Sequence, residues 1–437
     1  MKTRMYSAKS IIAAVVIISF IIIVVLIAVS LFLPAGKISY SNTVSDSALI
    51  QASSTLATTT PFVATTTPIF IVTHIKPPSV VKAAYYTSWS AGTPSFQKEM
   101  FDLIKGTELN SLVIDVKDYS GRVSFLTDDP IIKETGSPEG RISDIEYMIA
   151  KLHGQGIYVI GRVAVFQDPF IVKVRPEWAV HDETGRIWKD KGGAYWVDPD
   201  NKEMWKYVAE IAKQAYAVGF DEINFDYVRF PSDGITNAVF DKSASTTKES
   251  VITSFFSYLH DTLSPLNIPI SADVFGQTTS DTGDMGIGQH FENVLPYFNY
   301  VDPMVYPSHY ITNFLGFVKP AQHPYAIVKY ELDYAEARAL KASTETIIIA
   351  STTASTTSIT TKVLYTPAVI RPWLQAFDLG AIYSPDMVHA QIQATADAGA
   401  KGWLLWNAGS VYNREFVMPF VYGTTTAKVI PTSTSVQ

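Results

Sequence analysis

An alternation of strand-like and helix-like segments, running from about Val80 to Tyr422, limits this chain to very few folds. Runs rich in β-branched and aromatic residues fall at Lys82–Trp89, Ser111–Lys117, Tyr158–Phe166, Glu222–Arg229, Pro269–Phe275, Tyr300–Tyr306, Val369–Phe377 and Gly402–Trp406. Helical patterns lie between most of them, at Ser95–Lys105, Ile142–His153, Lys202–Val218, Lys248–Leu263, Pro324–Lys341 and Pro385–Ala398. Such alternation predicts a parallel sheet with helical crossovers. Eight strands fit an elaborated (β/α)8 barrel better than an open doubly wound sheet. No Gly-rich dinucleotide or phosphate loop follows the first strand, which counts against the open sheet. The predicted fold is α/β, a (β/α)8 TIM barrel.

Such a barrel carries its chemistry at the C-terminal ends of its strands. The fourth strand is the most telling: Asp221-Glu222-Ile223-Asn224-Phe225-Asp226-Tyr227-Val228-Arg229-Phe230-Pro231. Side chains alternate along a strand, so Ile223 and Phe225 share one face while Asn224 and Asp226 share the other. A strand covered on both faces is normally apolar throughout. An amide and a carboxylate there cost several kcal/mol unless partners or water satisfy them.

The other strand ends are similarly equipped. They offer Tyr85 and Trp89; Asp115, Lys117 and Asp118; Arg162; Tyr227 and Arg229; Asp273; Tyr306 and His309; Arg371, Trp373 and Gln375; and Trp406. Aromatic rings suit the apolar faces of sugars, and the polar groups suit their hydroxyls. Each residue also has a structural reading. Arg162 and Arg371 are expected to pair with the acids, Asp115 and Asp118 to form an ion cluster around Lys117, and Tyr85 and Tyr306 to fill barrel layers. Asp302, before Pro303, reads as a strand-start or turn residue. No His-x-x-x-His spacing suggests a metal site, and no cofactor is expected.

The chain resembles a family of bacterial glycoside hydrolases formerly known as a domain of unknown function, within the glycosyl-hydrolase barrel superfamily. The resemblance rests on Val113-Ile114-Asp115-Val116-Lys117-Asp118, Gly161-Arg162-Val163, Phe225 to Pro231, Ser271-Ala272-Asp273-Val274-Phe275-Gly276, Asp302 to Tyr310, and Arg371-Pro372-Trp373-Leu374-Gln375. It implies a TIM barrel acting on a polysaccharide. Glycoside hydrolysis usually needs two carboxyl groups flanking the scissile bond. Asp226 and Asp273 lie on consecutive strands, with a separation expected at roughly 5 to 9 Å. Asp226 is expected as nucleophile or base, kept ionised by Tyr227 and Arg229. Asp273, among apolar neighbours, is expected as the acid. The alternatives are a catalytically inactive glycan-binding barrel and a scaffold of the cell envelope.

Outside the barrel, Ile11 to Leu33 is apolar except for Ser19 and Ser30, long enough to cross a bilayer. Lys2, Arg4 and Lys9 precede it, placing residues 1–10 in the cytoplasm and the remainder outside. Residues 34–79 read as a disordered Ser/Thr/Pro-rich linker, 343–361 as a low-complexity loop insertion, and 423–437 as a disordered tail. The formal net charge of −7, with acids and bases scattered, gives no footprint for nucleic acid. The absence of cysteine leaves stability to packing.

Overall fold

The computed structural model describes residues 71–240, 246–350 and 357–420. The apolar segment Ile11–Leu33, residues 34–70 of the linker and the tail 423–437 lie outside the described residues. Among the described residues, no helix is long and apolar enough to cross a membrane.

Eight parallel strands close into a barrel: β1 Val81–Tyr86, β2 Ser111–Lys117, β3 Tyr158–Ala164, β4 Glu222–Asp226, β5 Ile270–Phe275, β6 Tyr300–Val305, β7 in two pieces (Val369–Ile370 and Trp373–Gln375), and β8 Gly402–Trp406. Each pairs with its sequence neighbour and β8 returns to β1, so no sheet edge remains. The outer layer contains α1 Pro94–Ile104, α2 Ile145–His153, α3 Lys202–Ala217, α4 Lys248–Leu263, the single turn α5 Phe291–Val294, α6 Pro324–Ser343 and α7 Pro385–Ala398. In α3 the Asn201 side chain caps Met204 N–H, and buried Met204, Trp205, Val208, Ile211, Ala212 and Ala215 form the inward stripe. Gly161 in β3 permits close packing, because a Cβ there would lie 2.8 Å from Val116 Cγ2 and 2.9 Å from Phe220 Cδ1.

Strand alternation divides the core in two. Ile223 and Phe225 join the large apolar layer between barrel and helices. Val81, Ala83, Val113, Tyr158, Ile160 and Leu404 line the barrel interior. The rest of that interior is unusually polar, containing Glu222, Asn224, Ser271, Asp302 and Arg371, all buried. Both β6 and β7 carry a proline, Pro303 and Pro372, and these lack an N–H to donate. The ladder between the strands therefore breaks between Val301–Ile370 and Met304–Trp373, where Asp302 and Arg371 pair through their side chains instead.

Four departures from the sequence expectation matter for the architecture. β1 stops at Tyr86 because Thr87 caps a short helix, Ser88–Gly92, with its hydroxyl accepting from Ser90 N–H at 3.0 Å. β4 stops at Asp226 because Tyr227 adopts a left-handed backbone (φ 55°). Residues 71–79, assigned to the linker, run beneath the barrel. Ile75 packs on the interior cluster and donates its N–H to Asp221 at 2.8 Å, while His74 stacks on Tyr216 at 3.8 Å. The insertion is not a loop throughout: Thr344–Ala350 pairs antiparallel with Thr357–Val363, as its alternating β-branched residues favour. That hairpin pairs with no barrel strand.

Candidate active site

A cavity of about 370 Å³ opens at the C-terminal ends of the strands, and both Asp226 and Asp273 border it. The register pairs Phe225 with Ala272, which places these two aspartates side by side on β4 and β5. Neighbouring strands lie about 4.8 Å apart, so one small ligand can reach both carboxyl groups.

Their surroundings differ. Asp226 Oδ2 accepts from Arg162 Nη2 at 2.5 Å and Nε at 3.1 Å, and its Oδ1 accepts from Tyr227 N–H at 2.6 Å. Tyr227 itself is left-handed (φ 55°), a conformation that costs about 1–3 kcal/mol for a non-glycine residue. Arg162 also donates to Asp115 at 2.7 Å, and Tyr85 Oη donates to the same carboxylate at 2.5 Å. Asp273 Oδ1 accepts from Asn224 Nδ2 at 2.8 Å and Trp373 Nε1 at 2.7 Å. Burial pushes the Asp273 carboxyl well above the usual range, and the charges of Asp226 and Asp302 push the same way. The polar atoms of Asn224 and Trp373 thus hold Asp273 in place without supplying a countercharge.

Beneath this tier, Arg371 donates to Asp302 at 2.9 and 2.8 Å and to Glu222 at 2.6 and 3.3 Å. Asn224 links the tiers by also donating to Asp302 Oδ2 at 3.1 Å. Burial raises the Asp302 carboxyl to about 6, against the pull of Arg371. Asp302 is therefore a mid-strand residue of the barrel interior, not the strand-start or turn residue expected.

Of the expected site residues, Arg162, Tyr227, Arg229, Tyr306, His309, Trp373 and Trp406 border the cavity with the two aspartates. Trp406 stacks on Tyr85 at 4.1 Å, and burial lowers the affinity of His309 for a proton. Others stand behind it. Tyr85 and Asp115 brace Arg162, Asn224 and Arg371 form the network beneath, and Gln375 accepts from Ser308 N–H at 3.1 Å and donates to Phe377 O at 3.0 Å. Lys117 is fully buried in a pair with Asp168 at 2.8 Å, and Asp118 pairs with Arg141 at 2.6 Å, so the expected ion cluster is two separate clamps on the β2 and β3 loops. Trp89 is no part of the cavity. It sits on the helix after β1, 56% exposed, with Arg141 over its ring at 4.7 Å. Arg229 does not pair with Asp226; that partner is Arg162, reached across the strand pair.

Met304, one of the residues expected at the end of the sixth strand, also borders the cavity, as do Phe275, Gly276, Gln277, Met285 and Tyr310, which were not proposed as site residues. Phe275 and Met304 stand two residues beyond Asp273 and Asp302, so strand alternation was a usable signal for both. Gln277 and Met285 arrive on the loop after β5, which carries no periodicity. Among the described residues, no cluster of three or more His, Asp or Glu side chains is placed to hold a metal ion.

Several solved structures are similar to the chain. The chain is 35% identical to a hypothetical protein from Ruminiclostridium thermocellum over 44% of this chain and 97% of that one, with a TM-score of 0.41. It is similar to the PgaB (BpsB) glycoside hydrolase domain from Bordetella bronchiseptica (13% identity, 78% and 100% of the two chains, TM-score 0.54). It is also similar to alpha-L-fucosidase isoenzyme 2 from Paenibacillus thiaminolyticus (12% identity, 77% and 48%, TM-score 0.50). At such identities the last two likenesses concern the fold. No curated protein matches the chain. The sequence model of a family described as "Putative glycosyl hydrolase domain" matches residues 83–412, from within β1 to beyond β8, and the chain belongs to that family.

Proposed function

We propose that this protein hydrolyses a glycosidic bond of a polysaccharide, with Asp273 as the proton donor and Asp226 as the charged partner. One observation carries the proposal: two carboxyl groups adjacent in register face one cavity from opposite electrostatic surroundings. Asp226 is held by a guanidinium and a backbone N–H, whereas burial, with the charges of Asp226 and Asp302, favours the protonated form of Asp273 against the pull of Arg162 and Asn224. Divergent environments of this kind separate an acid from a nucleophile or base. Asp273 would protonate the leaving oxygen, and Asp226 would attack the anomeric carbon or activate water. Trp373 and Trp406 would offer rings to the sugar faces.

One feature favours a second reading, a glycan-binding barrel without catalysis: both oxygens of Asp226 already accept hydrogen bonds. Substitution separates the two. If Asp226 is the charged partner, Asp226→Asn abolishes hydrolysis of cell-wall or exopolysaccharide substrates while sugar affinity changes little. Asp273→Asn slows substrates with poor leaving groups most and activated aryl glycosides least. Full activity in Asp226→Asn sinks the assignment, and binding without turnover in the unsubstituted protein establishes the binding module. We further propose that Ile11–Leu33 anchors the chain with the barrel outside the cytoplasm. A reporter active only outside the cytoplasm, fused after Thr67, tests this and should be active.

A further inference from the structure

The cavity contains a cation that the mechanism above does not use. Arg229 lies three residues beyond β4, is 9% exposed, and borders the same cavity as Asp226 and Asp273. Its guanidinium is held among rings, with its carbon 4.7 Å from the Phe275 centroid, 4.8 Å from Trp196 and 5.6 Å from Tyr227. Trp196 is itself fixed by its Nε1–H donating to Asp190 at 3.0 Å. Nη1 of Arg229 donates to Phe230 O at 3.1 Å and reaches Ser232 Oγ at 3.5 Å. An arginine has five N–H donors in a planar fork, and no carboxylate pairs with this one among the described residues. The other arginines of the barrel interior are each paired with two acids: Arg162 with Asp115 and Asp226, Arg371 with Glu222 and Asp302. The nearest acid in sequence, Asp226, is already engaged by Arg162.

A desolvated cation is stabilised in part by ring faces. Its remaining donors meet no protein acceptor among the described residues, and burial works against its charge. An acceptor with two coplanar oxygens matches the fork best. We propose that Arg229 is the subsite for a carboxylate carried by the sugar, so that the glycan bound here is acidic. The proposal rests on the reading that this cavity is the glycan site. The chemistry is shared by uronic acids, with the carboxylate on the ring, and by N-acetylated sugars bearing a lactyl ether, such as N-acetylmuramic acid. A sugar with a free, unacylated amine would bring a second cation towards Arg229 and is disfavoured.

The test uses full-length Asp273→Asn protein, which removes the proposed proton donor and leaves the Arg162–Asp226 pair in place. Calorimetric titrations would compare an oligogalacturonide with its methyl ester, and an N-acetylmuramic acid disaccharide with its methyl ester. At least one acid should bind about tenfold or more tightly than its ester, the size of a charge-assisted hydrogen bond. The arm showing the preference identifies the source of the carboxylate. Adding Arg229→Gln should bring that ratio near one, and Arg229→Lys should retain part of it by keeping charge without the fork. Equal affinity for acid and ester, no binding of either acid, or a ratio unchanged by Arg229→Gln overturns the subsite. Should Arg229→Gln fail to fold, the acid–ester comparison and Arg229→Lys still decide. Turnover of neutral glycans without an acid preference removes the subsite and keeps the hydrolase. Acid-selective binding in an unsubstituted protein without turnover does the reverse.

Discussion

The base of the site offers the sharpest test of how the barrel is held together. Arg371 is fully buried and donates four hydrogen bonds to Glu222 and Asp302, which are equally buried. Arg371→Met keeps much of the side-chain volume but strands two carboxylates in the barrel. Removing one partner of a buried ion pair costs about 3–5 kcal/mol, a large share of the roughly 5–15 kcal/mol by which a native protein is stable. Urea unfolding at neutral pH should show the midpoint falling with the slope unchanged. Adding Glu222→Gln and Asp302→Asn should restore most of the loss, because no uncompensated charge then remains buried. The pH dependence has a definite sign. Asp302 is raised to about 6 in the folded protein, above its unfolded value of about 3.9. Its contribution to stability is therefore full below about 4 and lost as pH rises through about 6. Without the pull of Arg371 the Asp302 carboxyl is raised further, so the deficit of the variant should be smallest at low pH and grow towards neutrality. A loss below about 1 kcal/mol at neutral pH would refute the argument, because it would mean that water, not Arg371, satisfies these carboxylates.

Two further outcomes are expected. A Cβ at Gly276 would fall 2.6 Å from Met304 O and 2.7 Å from Tyr310 Oη, so Gly276→Ala should cost about 1–3 kcal/mol in urea unfolding and weaken oligosaccharide binding; a neutral result would show that this cavity wall yields. Replacing Thr344–Val363 with a short Gly/Ser linker should change stability by less than about 1 kcal/mol, since loop-closure cost varies slowly with length; a loss of several kcal/mol would make the hairpin part of the barrel's support.

The barrel was legible in the sequence because its strands, covered on both faces, are short apolar runs and the helices between them carry the helical period, so the two kinds of segment can be told apart. The polar strand β4 was legible for the opposite reason: Asn224 and Asp226 break the apolar rule at alternate positions. Partner choice was not legible. Arg229 is three residues from Asp226, yet Arg162 on β3 holds it, because the register pairs Ala164 with Asp226 and brings the guanidinium across the strands. Trp89 was misplaced because Thr87 ends the strand with a cap, a local signal that competes with the aromatic run around it. The cavity wall formed by Gln277 and Met285 depends on where an irregular loop folds, which no pattern in the chain encodes.

The two tiers also give the neighbouring carboxyl groups of Asp226 and Asp273 different surroundings. Arg162 and Arg371 each stand between two acids, but Asp273 touches neither guanidinium; its hydrogen-bond partners, Asn224 and Trp373, are neutral. Burial comes first in raising Asp273, followed by Asp226 and Asp302. If Asp273 is the proton donor proposed above, the rate should fall on the alkaline side of the pH profile as Asp273 loses its proton. Asp302→Asn removes one of the like charges and leaves Arg371 with a single acid, and both changes favour the ionised form of Asp273. The alkaline limb should move to lower pH, and a carboxyl-labelled Asp273 followed by NMR should titrate earlier even without substrate. Stability follows the same linkage. A carboxyl raised in the fold contributes fully below its unfolded value, near pH 4, and loses that contribution as pH rises through its folded value. Asp273→Asn should therefore gain stability relative to the parent as pH rises from the acid range. An alkaline limb that stays fixed or moves upward in Asp302→Asn would show that the charge beneath the site does not reach Asp273, and that burial alone keeps its proton.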